Sequence, residues 1–294
     1  MTTSRTPLLL ALAFGLGACD SSAPGPAPDP VERIVFVNDA DGDAEIYAMN
    51  ADGTGLARLT DNSATDSAPA WSPDGRLLAF NSDRDGDQEI YVMNADGTGV
   101  RQLTANGAVD RAPVWAPDGA RLAFTSTRDG NYEIYTMRAD GTDIVRVTDA
   151  AQTDRNPAWS PTGAAIAFDS DRDGDYEIYV AAADGSAVTQ VTAHHATDMD
   201  PDWSPDGTRL VFRSNRSGDH EVFVMNADGS GDWQLTDGAV AAGPAWSPDG
   251  THVVYASQQG GRWDLLVSRA DGMGTVGLTD LEGDNYMPDW IELP

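Results

Sequence analysis

Lysine is absent from this 294-residue chain: all 18 basic side chains are arginine. Cysteine occurs once and histidine four times. One cysteine excludes an internal disulfide framework. Without lysine there is no amine to form a Schiff base, and no G-x-S-x-G elbow offers an activated serine. Glutamate is scarce as well, with 8 residues against 39 aspartates, and the formal net charge is -29. So negative a field repels nucleic acid and anionic lipid surfaces and excludes both as partners of the folded part. It favours cations, basic partners or high salt. Beyond residue 18 no segment keeps a 3.6-residue apolar period, which leaves no room for a helical domain.

Aspartate and glycine dominate instead, and both are turn residues. Residues 1–18 read as a secretory signal, with Arg5 followed by the apolar run PLLLALAFGLG. That run is shorter than the roughly 20 residues a permanent membrane helix needs. It ends in Leu16-Gly17-Ala18-Cys19, which resembles a bacterial lipobox. Cys19 is therefore the expected lipidation site and the mature N-terminus. Residues 19–31 follow as a Pro/Ser/Ala tether without apolar periodicity. The expected location is exported and lipid-anchored to the cell envelope, on its periplasmic or surface side.

From residue 32 to 294 the chain repeats itself. Trp71, Trp115, Trp159, Trp203, Trp246 and Trp290 are spaced by 44, 44, 44, 43 and 44 residues. Periods of about 40–50 residues belong to propeller blades. Within one unit, LAFTS and EIYTM flank the turn RDGN, IVRVT follows ADGT, and NPAWS precedes SPTG. Four short strands result. LLAF, RLAF, AIAF, LVF and VVY are continuous apolar runs, as expected when neighbouring blades cover both faces of a sheet. The array starts on the second strand of a unit (Arg33-Ile34-Val35-Phe36) and ends on the first (Pro288-Asp289-Trp290-Ile291). The last strand can thus complete the first blade and close a ring. The expected fold is all-β, a six-bladed propeller of four-stranded antiparallel blades.

The pattern LAFxSxRDGxxEIYxMNADGxxxxxLT…PxWSPDG resembles the TolB-like β-propeller repeat. The resemblance implies a six-bladed ring of the kind found in envelope proteins, in accessory domains of serine peptidases and in surface lipoproteins.

In a propeller the innermost strands line the channel, and the loops entering them share a face with the second-to-third-strand hairpins. Asp66, Asp110, Asp154 and Asp198 each lie five residues before a tryptophan; Ala241 and Asn285 replace them in the other two units. Four carboxylates near one axis would form a mouth for a cation or basic peptide, or each would cap its own turn. The hairpins read DADGDAE (39–45), DRDGDQE (83–89), TRDGNYE (127–133), DRDGDYE (171–177) and NRSGDHE (215–221). Such oxygen-rich loops suit Ca²⁺, the one cofactor candidate. The alternative is a cross-strand ion pair, Arg84 with Glu89, Arg128 with Glu133 and Arg172 with Glu177. Ala40 takes the arginine position in the first hairpin, which makes Asp39, Asp41 and Asp43 the metal candidates. His194 and His195 beside Asp198 and Asp200 form a further metal-type cluster.

No catalytic residue is assigned. The leading reading is a monomeric, membrane-tethered envelope interaction module that binds a protein or peptide, basic in character, through an acidic channel face. The alternatives are a cation-dependent hydrolase or lyase acting on a carbohydrate or lactone in the channel, and a purely structural surface lipoprotein.

Overall fold

A computed structural model describes residues 31–293 of the protein. The signal segment and Cys19 lie outside the described residues, as does the tether up to residue 30. Among the described residues there is no helix, and 24 strands form six four-stranded antiparallel sheets. We number these blades 1 to 6 along the chain. Blade 1 joins both ends: Asn285–Leu293 pairs with Val31–Asn38, with Arg33 opposite Ile291 and Ile34 opposite Trp290. The ring closes as the offset of the repeat implied. The innermost strands of blades 2 to 6 are Asp66–Trp71, Asp110–Trp115, Asp154–Trp159, Asp198–Trp203 and Ala241–Trp246.

The continuous apolar strands are buried on both faces. Phe36, Phe80, Phe124, Phe168 and Phe212 are wholly inaccessible. Phe80 stands opposite Tyr91 on the next strand, ring centroids 5.8 Å apart. The core is a set of layers between blades. Val35, Ile46 and Ala48 of blade 1 pack against Trp71, Leu78, Phe80, Tyr91 and Met93 of blade 2. The repeated tryptophans and tyrosines therefore fill blade interfaces. Glycine in the ADG turn locks neighbours together: a Cβ on Gly185 (φ 75°) would lie 2.4 Å from the carbonyl oxygen of Val147 in the preceding blade.

Each innermost strand breaks its ladder at the same place. Ala68, Ala112, Asn156, Asp200, Gly243 and Met287 have φ between 49° and 57° and precede prolines. Proline has no N–H for the ladder, and the pairing register shifts there, for example between Ser67 and Ala70. A left-handed conformation costs a non-glycine residue about 1–2 kcal/mol. In three blades a side chain of the preceding blade meets the bulged amide: Ala112 N–H donates to Asn81, Asn156 N–H to Thr125 and Asp200 N–H to Asp169. These bulges shape the channel wall.

Candidate functional site: the central channel

Asp66, Asp110, Asp154 and Asp198 begin the innermost strands, as their spacing implied, yet none has any exposed surface. Each carboxylate meets the hairpin arginine of its own blade. Arg84 Nη2 lies 2.8 and 2.9 Å from the two oxygens of Asp66, and Arg172 Nη2 lies 2.8 Å from both oxygens of Asp154. Arg128 reaches Asp110 at 2.9 Å and Arg216 reaches Asp198 at 2.6 Å. The guanidiniums also lie over the cross-strand aromatics, Arg172 at 4.5 Å from the Tyr179 ring centre. The expected cross-strand partners Glu89, Glu133 and Glu177 are not the partners of these arginines. The four carboxylates are thus buried and charge-paired rather than presented at the surface, although Asp110 Oδ1 and Asp198 Oδ1 keep no hydrogen-bond partner. Aspartate and arginine also come and go together. Blade 1 has Asn285 with Ala40, and blade 6 has Ala241 with Gln259 in the arginine position.

The first hairpin is neutralised too. Arg58, from the outermost strand, sits 2.6 Å from Asp41, 3.0 Å from Glu45 and 3.1 Å from Asp61. Ala40 therefore does not leave Asp41 without a counter-charge, while Asp39 and Asp43 have no ion pair among the described residues. A guanidinium stands at Asp41, and Asp39 accepts the Asp284 amide at 2.7 Å instead.

The channel itself is a cavity of about 850 Å³ with walls from all six blades. Its rim is set by residues just before each bulge proline: Ser67-Ala68, Arg111-Ala112, Arg155-Asn156, Asp200, Ala242-Gly243 and Tyr286-Met287. Blades 3 to 5 make one side of it. Arg155 lies 3.9 Å over Tyr176, with Nε 2.8 Å from Asp169. Asn156 donates to Asp169 and Asp200 at 2.9 and 2.8 Å, and Arg213 pairs with Asp200 at 2.7 Å. Burial raises the Asp169 carboxyl, and the Asp200 charge adds to the rise against Arg155. Arg111 lies 4.2 Å over Tyr132 and has no ion pair among the described residues.

Further along the innermost strands the channel carries two acids where other blades have alanine or valine. Asp202 accepts the Trp246 amide at 2.9 Å, and Asp289 accepts the Trp71 amide at 2.7 Å. Both keep some contact with water, but protein surrounds them. Burial pushes Asp202 up to about 7, helped by the Asp289 charge, and Asp289 up to about 6. No histidine lines this channel among the described residues. The His194 backbone amide is engaged instead by Glu177 of the blade-4 hairpin.

The TolB beta propeller domain matches residues 17–111 and 108–293, nearly the whole chain. The chain belongs to the TolB β-propeller family. TolB from Acinetobacter baumannii superposes with a TM-score of 0.78 at 26% identity, over 88% of this chain and 66% of that one. A putative TolB from Agrobacterium tumefaciens gives 0.72 at 22% identity, over 91% of this chain and all of that one. Tol-Pal system protein TolB from Desulfosudis oleivorans is 48% identical over 48 residues, 16% of this chain and 11% of that protein. The chain therefore spans only a small part of that relative and just under two thirds of the Acinetobacter protein.

Within this family frame the channel residues are the ones the repeat pattern hides. The regular frame D-x-x-P-x-W draws attention to its aspartate, which serves the blade. The unlike residues inside the frame, Met199 apart, reach the channel. They share its wall with the recurring prolines, so a comparison of the six copies shows where the blades differ in what they present to the cavity.

Proposed function

We propose that this TolB-family propeller is an envelope interaction module, exported and tethered to the membrane through a lipidated Cys19, whose channel rim takes a protein or peptide segment. One observation carries the reading. At equivalent positions of the near-copies, the rim changes from Ser67 to Arg111, Arg155, Ala242 and Tyr286, while the proline and tryptophan beside it recur in all six. A surface that serves only the ring has no reason to vary in this way; an asymmetric ligand requires it. One relative is by name a Tol-Pal system protein, which supports a protein partner.

Charge divides the channel. Asp39, Asp284 and Asp289 stand on the blade-1 side, and Asp202 lies deeper on blade 5. The net charge of -29 favours a basic segment, and these channel acids would supply its counter-charges. Arg111, free of an ion pair, suits a carboxylate of the same segment. In this reading the basic partner lies against the channel acids rather than against Asp66, Asp110, Asp154 and Asp198.

Crosslinking pull-down from native envelopes tests the reading, comparing wild type with an Arg111→Ser/Asp289→Asn variant that keeps its fold. The expected result is one partner captured by wild type, released at high salt and lost in the variant. No partner, or equal capture by both, overturns it. Chelator-sensitive turnover of a polysaccharide or lactone would favour a channel enzyme instead.

A further inference from the structure

Blades 3 and 4 each cover a hairpin aromatic with an arginine of their own. Arg111 lies 4.2 Å over the ring of Tyr132, and Arg155 lies 3.9 Å over that of Tyr176. In both blades the arginine stands two residues before the bulge proline, and the aromatic follows 21 residues later, just before the hairpin glutamate. Blade 6 keeps the aromatic and lacks the arginine. Trp263 holds the place of Tyr132 and Tyr176, while Ala242 holds the place of Arg111 and Arg155. No guanidinium lies over Trp263 among the described residues. Gly243 and Ala256 also line the cavity from blade 6, and both are as short as Ala242.

Negative charge is gathered at this aromatic all the same. Asp284 Oδ1 accepts the Trp263 amide at 2.9 Å, and Asp39 Oδ1 accepts the Asp284 amide at 2.7 Å. Among the described residues the second oxygen of each carboxylate has no hydrogen bond, and neither carboxylate has an ion pair. Tyr286 of blade 1 lines the same cavity, and it packs with Trp263 on the core layer between blades 6 and 1. Burial, above all, raises the Tyr286 hydroxyl, and the charges of Asp39 and Asp284 add to the rise, which sets both acids near this ring. The stacked arginine of blade 4 has a carboxylate partner in the same way, with Arg155 Nε 2.8 Å from Asp169.

We propose that this corner of the channel is a guanidinium subsite, in which an arginine side chain of the partner segment stacks on Trp263 beside Tyr286 and pairs with Asp39 and Asp284. The subsite belongs to the proposed binding channel and presupposes that reading; it names where the positive charge of the partner goes. The incoming arginine takes the place that Arg111 and Arg155 fill in blades 3 and 4. Tryptophan offers the best aromatic face for a cation. Arginine fits better than lysine, because a planar guanidinium stacks on a ring and still turns its N–H edge to carboxylates, whereas an ammonium is a compact, strongly hydrated charge.

Titration of the purified full-length protein with L-argininamide, followed by NMR of isotopically labelled indoles, tests the subsite. The Trp263 signal, identified by its loss in Trp263→Gln, should shift saturably in the millimolar range, and high salt should weaken the binding. Citrulline amide, which keeps the shape without the charge, should bind about tenfold more weakly or less. Ala242→Arg, which copies blades 3 and 4, should abolish the shift at an unchanged melting temperature. Asp39→Asn with Asp284→Asn, which keeps both amide acceptors, should weaken binding at least about tenfold. No saturable shift of Trp263 in wild type overturns the proposal, as does equal binding of argininamide and citrulline amide. Undiminished capture of the envelope partner by Ala242→Arg overturns it too, while the proposed function is judged separately by the Arg111→Ser/Asp289→Asn comparison.

Discussion

Asp154→Asn isolates the recurring aspartate–arginine pair. Asp154 is inaccessible, and both its oxygens lie 2.8 Å from Arg172. The arginine side chain is 24% exposed, stands over Tyr179, and donates through Nε to Ser170 at 2.9 Å. Removing the carboxylate leaves a guanidinium held against aromatics with little water. Breaking a buried pair from one side costs about 3–5 kcal/mol, and the partial exposure of Arg172 argues for about 3. For a domain of this size that corresponds to a fall in melting temperature of about 6–12 °C. Arg172→Ala should cost as much or more, since it strands a carboxylate that has no exposure at all. The double variant reproduces the combination present in blade 1, where Asn285 accepts a bond from Asn38 at 3.0 Å. It should be less destabilised than the sum of the singles by about 2–3 kcal/mol. Denaturant unfolding of the four proteins measures this. A cost below about 1 kcal/mol for Asp154→Asn, or simple additivity, would refute the assignment of the pair as a structural unit.

Two further outcomes follow from the geometry. Asp202 and Asp289 have folded pKa values of about 7 and about 6, above the ordinary 3.8, so the folded state holds more protons than the unfolded chain between about pH 4 and pH 7. Their contribution is complete below that window and is lost as pH rises through it; the melting temperature should fall from pH 5 to pH 8, and Asp202→Asn with Asp289→Asn should flatten the dependence. Gly185→Ala should destabilise the protein by at least about 1 kcal/mol, because the methyl group meets Val147 O at 2.4 Å and φ is positive; calorimetric melting reads the loss.

Much of this was legible in the sequence because repetition multiplies weak signals. One RDGN turn is a hint, whereas five hairpins at a fixed offset from six tryptophans define blades, and the offset of Arg33 and Trp290 defines the closure. Pairing was harder to read. Strand alternation brings Arg84 and Glu89 near each other in sequence, but the turn carries the guanidinium back over Phe80 and Tyr91 to Asp66. Spacing alone does not encode that direction. The joint loss of aspartate and arginine in blades 1 and 6 does encode the pairing. The role of Arg58 is not legible in the hairpin, because it comes from an outermost strand only two residues long, beyond the turn it neutralises. The channel residues are hidden for a different reason: Arg111, Asn156 and Asp289 do not recur in all six units.

The central claim is that recurring residues hold the ring while the unlike residues of the rim bind a partner. Site-specific photo-crosslinking in intact cells tests it most directly, with the crosslinker at Ser67 or Tyr286 on the rim and at Met273, 66% exposed on a blade-6 turn, as the control. The account predicts one discrete protein adduct from the two rim positions and none from Met273. Adducts from Met273 alone, or none from the rim, would contradict it.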